Sequence, residues 1–379
     1  MTRSVFIVAA ERSGDSLGEG LVRELRKLDP DLEIHGIGGT AMAGAGVGSD
    51  YDISPLSILG FVEALKVYPT VVKKVHEAVN LITAKRSDAV VLIDSWGFTL
   101  RVAKGLRKAG YRGKIVKYVA PQVWAMRRGR TKILANAVDH LLTIHSFDAP
   151  YFESDGLSVT YVGNPVFDTD YRSGDADGFR LRHGIGNAPV ISVWFGSRLS
   201  EIERIFDVLH AAALRTAGGM DGARLFSVVV QSVRERLMEK LPDSSPVNLL
   251  NEEDKLDLMA ASHLAIACSG TVTTQLACAG VPTVVAYKLA PLTFQIARFL
   301  FRPEYISIVN IAADAPLMAE FVQHRATVGA ISDAALAYRD ITRQQINSAR
   351  LIAQTAKMQG EGGKASIRAA SAVLDIIGC

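Results

Sequence analysis

The stretch from Ser262 to Lys288 constrains the fold of this chain more than any other part of the sequence. An apolar run at His263–Ala267 is short enough for a strand buried on both faces, and a helical pattern follows at Val272–Ala279. Gly280 ends this helix, and a second apolar strand begins at Val281. The order of strand, sharp turn, helix and strand predicts an α/β domain.

The turn in this stretch contains Ser269, Gly270 and Thr271. A strand that turns directly into a helix leaves free backbone N–H groups and the positive end of a helix dipole at one point, which suits a phosphate or diphosphate. Gly270 lets an anion approach the backbone, and the neighbouring hydroxyls add donors. The alternative is a plain helix N-cap that binds no ligand.

Short buried strands also alternate with helices along the first half of the chain. The loops at the carboxyl ends of such strands build the ligand site of an open α/β sheet. Loops of this kind follow the strands at 4–10 and 88–94, and they contain the site candidates Glu11, Ser13, Gly14, Asp15 and Asp94. For Ser13 and Asp15, the alternative is that the side chain only caps the next helix.

Aromatic and basic residues interleave at residues 120–130, after another strand. This pattern suits a sugar, a phosphate or a nucleic acid. Because the formal net charge of the chain is only +3, we expect a small phosphorylated substrate and no nucleic acid. The candidates in this region are Gln122, Trp124, Arg127, Arg128 and Arg130.

Two segments, at 53–72 and 289–313, combine large apolar residues with lysines or arginines. Such segments can lie on a membrane surface or hold an acyl chain. Packing against the sheet explains the same pattern equally well. No stretch approaches the ~20 uninterrupted apolar residues of a spanning helix, so we expect peripheral contact at most.

The second half repeats the alternation of strands and helices. After the strand at 189–194, Gly196, Ser197 and Arg198 precede a helix and form a second candidate anion site. The alternative is a surface ion pair between Arg198 and Glu201. We predict a first domain at 1–165, a linker at 166–188, a second domain at 189–345 and C-terminal helices at 346–379, of which 364–377 packs back on the first domain.

The predicted fold class is therefore α/β, with two Rossmann-like domains facing a cleft, as in GT-B glycosyltransferases. The first domain would take the acceptor and the second a nucleotide sugar. The three cysteines lack metal-site spacing, so we expect no metal, no disulfide framework and a reducing cytoplasm.

The chain resembles the lipid-A-disaccharide synthase family over nearly its whole length. The resemblance is carried by a series of motifs in one order: AAERSGD at 9–15, GIGG at 36–39, LSILGFVEAL at 56–65, YVAPQVWA at 118–125, YVGNP at 161–165, GSR-x-x-EI at 196–202, SGT at 269–271 and GVPTVVAYK at 280–288. It implies transfer from UDP-2,3-diacylglucosamine to 2,3-diacylglucosamine 1-phosphate with release of UDP, with no metal or cofactor. It also implies peripheral attachment to the cytoplasmic face of the inner membrane. A homodimer is one expected assembly.

The sequence departs from the family pattern at several motif positions. In the family motif Asp-x-Pro-Asp-Phe the second aspartate is favoured as general base, and this chain has Gly97 at that position. The family also has a glutamate after Ser-Gly-Thr that is expected to bind the ribose, and this chain has Gln275 there. The histidine of Gly-His-Pro is Asn164, a further substrate-binding candidate. Two hypotheses remain open here. One is an active synthase in which Asp94 or Asp15 replaces the base, and the other is a paralogue that only binds a nucleotide sugar or lipid.

In the first hypothesis the transfer is a direct displacement at the sugar C1. Arg198 and the Ser269–Thr271 turn neutralise the departing diphosphate. Arg127, Arg128 or Arg130 holds the acceptor phosphate.

Overall fold

The structure is a computed structural model, which describes residues 3–49, 51, 68–123, 129–290, 294–295 and 304–378. The chain divides into two compact units. The first unit contains Met1–Pro165 and Glu361–Cys379, and the second contains Val166–Gly360. Most of the two apolar-basic segments predicted at 53–72 and 289–313 lies outside the described residues.

The first unit is built on a parallel six-stranded sheet with the strand order β2-β1-β3-β4-β5-β6. Its central strands are buried on both faces, which explains why the sequence shows continuous apolar runs there. The strands are β1 (Ser4–Ala9), β2 (Glu33–Ile37), β3 (Ala89–Ile93), β4 (Lys114–Tyr118), β5 (His140–Thr143) and β6 (Ser158–Tyr161).

Helices cover this sheet and pack their apolar residues into two cores, one on each face. They are α1 (Arg12–Leu28), α2 (Thr40–Gly44), α3 (Tyr68–Lys85), α4 (Trp96–Lys108), α5 (Arg130–Ala135) and α6 (Ala149–Glu153). All strands of the sheet run in the same direction, so the loops that follow β1, β3, β4 and β6 lie at one edge. This is the carboxyl edge of the first unit.

The second unit has a parallel six-stranded sheet of its own, with the order β12-β11-β10-β7-β8-β9. The strands are β7 (Val190–Trp194), β8 (Arg224–Val228), β9 (Val247–Leu250), β10 (Leu264–Cys268), β11 (Thr283–Tyr287) and β12 (Ala319–Val322). β7 and β10 are neighbours at the centre, so the turns that follow them lie side by side. This pairing brings together the two candidate anion sites of the sequence.

The helices of the second unit again lie on both faces of its sheet. They are α7 (Ala176–Arg182), α8 (Leu199–Gly218), α9 (Gln231–Lys240), α10 (Lys255–Ala261), α11 (Thr271–Cys278), α12 (Ile308–Ala313), α13 (Val328–Leu336) and α14 (Ile341–Gln359). Single 3₁₀ turns occur at Pro165–Asp168, Glu252–Asp254, Gln323–Arg325 and Ala337–Arg339.

The domain boundaries differ from the prediction at the linker. Residues 166–188 lie within the second unit, because Tyr171 and Phe179 are buried in its core and α7 packs on α10. The last helix, α15 (Ala365–Gly378), packs on α1 and belongs to the first unit, whereas residues 346–360 belong to the second. β12, a short half-buried edge strand, is an element that the apolar pattern does not predict.

Candidate functional site

The turn between β10 and α11 is an open corner, formed by Ser269, Gly270 and Thr271. In the described part of the chain, no acceptor receives a hydrogen bond from the backbone amides of Gly270, Thr271 and Val272. The amide and the hydroxyl of Thr273 both bond to the Gly270 carbonyl, at 3.1 and 2.7 Å. No described atom lies within 4 Å of the point where a Cβ on Gly270 would sit. An anion can therefore approach three free N–H groups at the positive end of α11.

The turn between β7 and α8 is a closed corner, formed by Gly196, Ser197 and Arg198. The buried carboxylate of Glu201 accepts hydrogen bonds from the amides of Ser197 and Arg198, at 2.9 and 3.3 Å. Gly196 has a φ of 111°, and a Cβ there would lie 2.7 Å from Glu201 Oε2. The chain's own carboxylate therefore occupies the position that the sequence suggests for a second anion, and this candidate site is reduced to the Arg198 side chain.

Arg198 forms the ion pair with Glu201 that the sequence offers as an alternative. Its Nη1 lies 2.9 Å from Glu201 Oε1, while 59% of the arginine side chain stays exposed. A bond of this kind in partial solvent contributes little to stability, but it holds the guanidinium beside the open corner.

Both corners face one cavity of about 280 Å³ within the second unit. All seven residues that the sequence assigns to the nucleotide line it: Gly196, Ser197, Arg198, Ser269, Gly270, Thr271 and Gln275. The cavity wall also contains Trp194, Glu252, Lys255 and Cys268, which the sequence argument does not select. Burial raises the pKa of the Cys268 thiol to about 12, so this cysteine stays protonated and is no nucleophile at neutral pH.

Gln275 lies one helical turn after Thr271 and therefore on the same face of α11. Its side chain lies near the hydroxyl of Tyr171. Burial raises the pKa of Tyr171, while Thr169 and Gln275 both act to lower the pKa of this hydroxyl, so the hydroxyl keeps its proton. Tyr171 thus lies behind the Gln275 amide, which is part of the cavity wall. Tyr171 is not among the residues predicted from the sequence, because it lies in the stretch predicted as a linker.

At the carboxyl edge of the first unit, Asp15 has a structural role. Its buried carboxylate accepts hydrogen bonds from the amides of Gly39, Ala41 and Met42, at 2.7, 2.9 and 3.2 Å. It therefore caps the start of α2, and its oxygens are directed at these amides. This geometry corrects the assignment of Asp15 as a candidate base, since both of its oxygens already accept hydrogen bonds from backbone amides at the start of α2.

The other candidates after β1 divide into two kinds. Gly14 is buried beside Ile93, where a Cβ would make an ordinary contact at 3.6 Å, and it has no side chain to present at the edge. Glu11 is half-buried and Ser13 is exposed, so both side chains remain at the edge. Only these two of the four candidates keep an accessible polar group.

Asp94 follows β3 directly, with a φ of 45°. Its amide donates to the Tyr118 carbonyl at 2.9 Å, and its own carbonyl accepts a 2.7 Å bond from the Thr99 hydroxyl. The carboxylate is half-buried, and no described residue donates a hydrogen bond to it. Gly97, in the first turn of α4, is exposed, and among the described residues only Arg101 lies within 4 Å of the point where a Cβ would sit.

The remaining candidates lie along the same edge or outside the described residues. Gln122 follows β4 and is exposed, and Asn164 follows β6 and is half-buried. Arg130 begins α5, with its guanidinium carbon 4.9 Å from the centre of the Trp96 ring. Trp124 and Arg127 lie outside the described residues.

Within the described ranges, no group of three or more histidine, cysteine, aspartate or glutamate side chains is placed to hold a metal ion. No described helix is both long and apolar enough to cross a membrane. The expectation that the reaction needs no metal remains a prediction.

Comparison with known families gives one consistent result. The model of the lipid-A-disaccharide synthetase family matches residues 5–375. A lipid-A-disaccharide synthase from Rhodospirillum centenum is 37% identical over 98% of this chain and 94% of its own length. One from Geobacter metallireducens is 33% identical over 99% of this chain and 98% of its own length.

Solved structures with much lower identity share the fold. A UDP-N-acetylglucosamine 2-epimerase is 14% identical, with a TM-score of 0.61 over 100% of this chain and 97% of that chain. The spinosyn rhamnosyltransferase SpnG, complexed with thymidine diphosphate, is 13% identical, with a TM-score of 0.58 over 98% of this chain and 100% of that chain. The predicted two-domain α/β fold of the GT-B type is confirmed.

Proposed function

We propose a specific reaction for this chain on the premise that it belongs to the lipid-A-disaccharide synthase family and is a glycosyltransferase of lipid A biosynthesis. The donor is UDP-2,3-diacylglucosamine, the acceptor is 2,3-diacylglucosamine 1-phosphate, and UDP is released. The curated relatives are named as synthases, which favours the enzyme over a paralogue that only binds substrate.

The open corner carries this proposal. The free amides of Gly270, Thr271 and Val272 meet the diphosphate at the positive end of α11, and Arg198 adds a full positive charge from the closed corner. Gln275, one turn further along the same helix face, accepts a hydrogen bond from the ribose through its amide oxygen.

The chemical step is a displacement at C1 of the donor sugar. A hydroxyl of the acceptor forms the new C–O bond, the bond between C1 and the diphosphate breaks, and UDP departs with the electron pair. The open corner and Arg198 stabilise the negative charge that develops on the diphosphate. These groups supply the positive charge without a metal or cofactor.

The proton of the attacking hydroxyl goes to Asp94. Its carboxylate has no described donor, whereas that of Asp15 is bonded to three amides. Among the arginines predicted for the acceptor phosphate, Arg130 lies at the start of α5. Because both substrates carry acyl chains, we place the enzyme at the cytoplasmic face of the inner membrane as a peripheral protein.

Disaccharide formation from radiolabelled UDP-diacylglucosamine tests the proposal. We expect one UDP released per disaccharide formed, and a loss of roughly 10²–10⁴-fold in kcat for Asp94→Asn, since this is the usual contribution of a general base. Addition of Gly97→Asp to that variant is expected to restore part of the loss, because the position has room for the side chain. If the unaltered chain forms no disaccharide, that result contradicts the proposal.

A further inference from the structure

Lys117 is a buried lysine at the carboxyl end of β4, in the middle of the first sheet. Only 2% of it is exposed. Lysine is rarely buried to this degree unless its ammonium group has partners, because the charge loses its hydration. The side chain therefore requires an explanation beyond packing.

The ammonium group of Lys117 bonds to the turn that carries Asp94. It donates to the Asp94 carbonyl and, at 2.9 Å, to the Thr99 hydroxyl. The Thr99 hydroxyl itself lies 2.7 Å from the Asp94 carbonyl and 3.0 Å from that of Ser95. Lys117 and Thr99 thus form one polar cluster beneath the start of α4.

This cluster holds a backbone conformation that residues other than glycine rarely adopt. Asp94 and Ser95 have φ values of 45° and 41°, so two consecutive residues lie in the left-handed region. Such a residue is strained and persists only where the surroundings fix it. Lys117 supplies that constraint through its hydrogen bond to the Asp94 carbonyl and its bond to the Thr99 hydroxyl, which itself donates to that carbonyl.

The charges around Lys117 come from the same edge. Burial lowers the pKa of its ammonium group to about 7, and the carboxylates of Asp94 and Glu11 act in the opposite direction. The amine therefore changes its charge near neutral pH. It keeps two N–H donors in both states, so the hydrogen bonds to the turn survive the change.

We propose that Lys117 is a positioning residue for the transfer reaction: its hydrogen bonds hold the left-handed turn at Asp94 and so fix the carboxylate that takes the proton. This inference rests on the proposed function, in which Asp94 is the general base. Lys117 itself is too buried to touch the acceptor.

A mutant cycle between the two residues tests the inference. Lys117→Met keeps an unbranched side chain of similar length, one heavy atom shorter, and removes its donors. We expect kcat to fall about 10- to 100-fold, as for a reacting group displaced by about 1 Å, with the Kd for UDP unchanged within about 2-fold. Lys114→Met, in the same strand but exposed, is the matched control and keeps full activity.

The double variant with Asp94→Asn separates positioning from a general structural role. If Lys117 acts through Asp94, the double variant is no slower than Asp94→Asn alone. Multiplied losses overturn the inference, as does full activity of Lys117→Met. Circular dichroism melts show whether each variant is folded. If Lys117→Met does not fold, Thr99→Val, which removes the partner of the ammonium group, takes its place in the cycle.

The pH profile gives an independent readout. The Lys117 amine loses its charge as the pH passes through about 7, and because this charge acts on Asp94 we expect kcat of the unaltered enzyme to rise there. Lys117→Met lacks this rise and Lys114→Met keeps it. An unchanged profile in Lys117→Met overturns the inference and leaves the proposed function intact, whereas absence of product from the unaltered enzyme overturns both.

Discussion

The two corners of the second unit start from similar sequences and end in opposite states. In each, a buried strand turns through a glycine and a serine into a helix. The third residue of the helix decides the outcome: it is Glu201 in the closed corner and Thr273 in the open one. Glu201 bonds to the amides of its own turn, whereas Thr273 bonds to the Gly270 carbonyl and leaves the amides free.

The difference shows that a strand-to-helix turn is an anion site only where the helix brings no carboxylate of its own. The same dipole and the same N–H groups attract an internal carboxylate as readily as a ligand. In this cavity, the closed corner holds an arginine in place and the open corner leaves its amides free for the proposed diphosphate.

The largest expected effect comes from copying the closed corner into the open one. Thr273→Glu is expected to raise the Kd for UDP by roughly 100-fold or more, because the new carboxylate takes the amides and repels the diphosphate. Isothermal titration calorimetry measures this change in the Kd for UDP. Thr273→Gln has the same size without the charge and should lose less than about 10-fold. Equal losses in both variants would mean that shape, and not charge, governs binding.

Removal of the arginine should have the next largest effect. Arg198→Ala is expected to weaken UDP binding about 10-fold at low salt and less at high salt, since more than half of the side chain is exposed. The control is Arg224→Ala, at the amino-terminal end of β8, far along the strand from the cavity. A loss of UDP binding that is equally large at low and at high salt would contradict an electrostatic role for Arg198.

Opening the closed corner should strengthen UDP binding, in contrast to the two changes above. Glu201→Gln removes a negative charge from the cavity and weakens the bond to Arg198, so UDP binding is expected to tighten about 3- to 10-fold. The free energy of unfolding should fall by about 1–2 kcal/mol, because charge-assisted bonds to two amides become neutral ones. Calorimetry and urea denaturation report the two effects. Glu203→Gln, in the same helix, breaks an exposed ion pair with Arg236 and should leave UDP binding unchanged, and weaker UDP binding in Glu201→Gln would break the comparison.

The smallest effect is expected at Tyr171, whose hydroxyl lies near Gln275 beside the open corner. Tyr171→Phe removes this polar neighbour of the amide and should weaken UDP binding about 3-fold. The same variant should not weaken binding of 2′-deoxy-UDP if Gln275 bonds to that ribose hydroxyl. Equal losses for the two nucleotides would assign Tyr171 a purely structural role.

The sequence predicts the strands and the open corner well because their determinants are local. The apolar runs of β7 and β10 and the small residues after them are read directly from neighbouring positions. The resemblance then identifies the family, and the comparisons confirm it.

What the sequence does not predict depends on contacts between distant residues. Asp15 caps a helix that begins 25 positions later, and Lys117 bonds to a turn 23 positions earlier. Tyr171 and Phe179 lie in a polar, glycine-rich stretch that has the composition of a linker, yet both are buried. The sequence also does not predict the direction of the Glu201 side chain, since a glutamate in the first turn of a helix can equally extend into solvent.

The central claim is that the amides of the open corner hold the diphosphate, and a crystal structure with UDP tests it most directly. The account predicts phosphate oxygens within hydrogen-bond distance of the Gly270 and Thr271 amides, with Glu201 still bonded to Ser197. An empty open corner, or a diphosphate bonded to the Ser197 and Arg198 amides in place of Glu201, would contradict it.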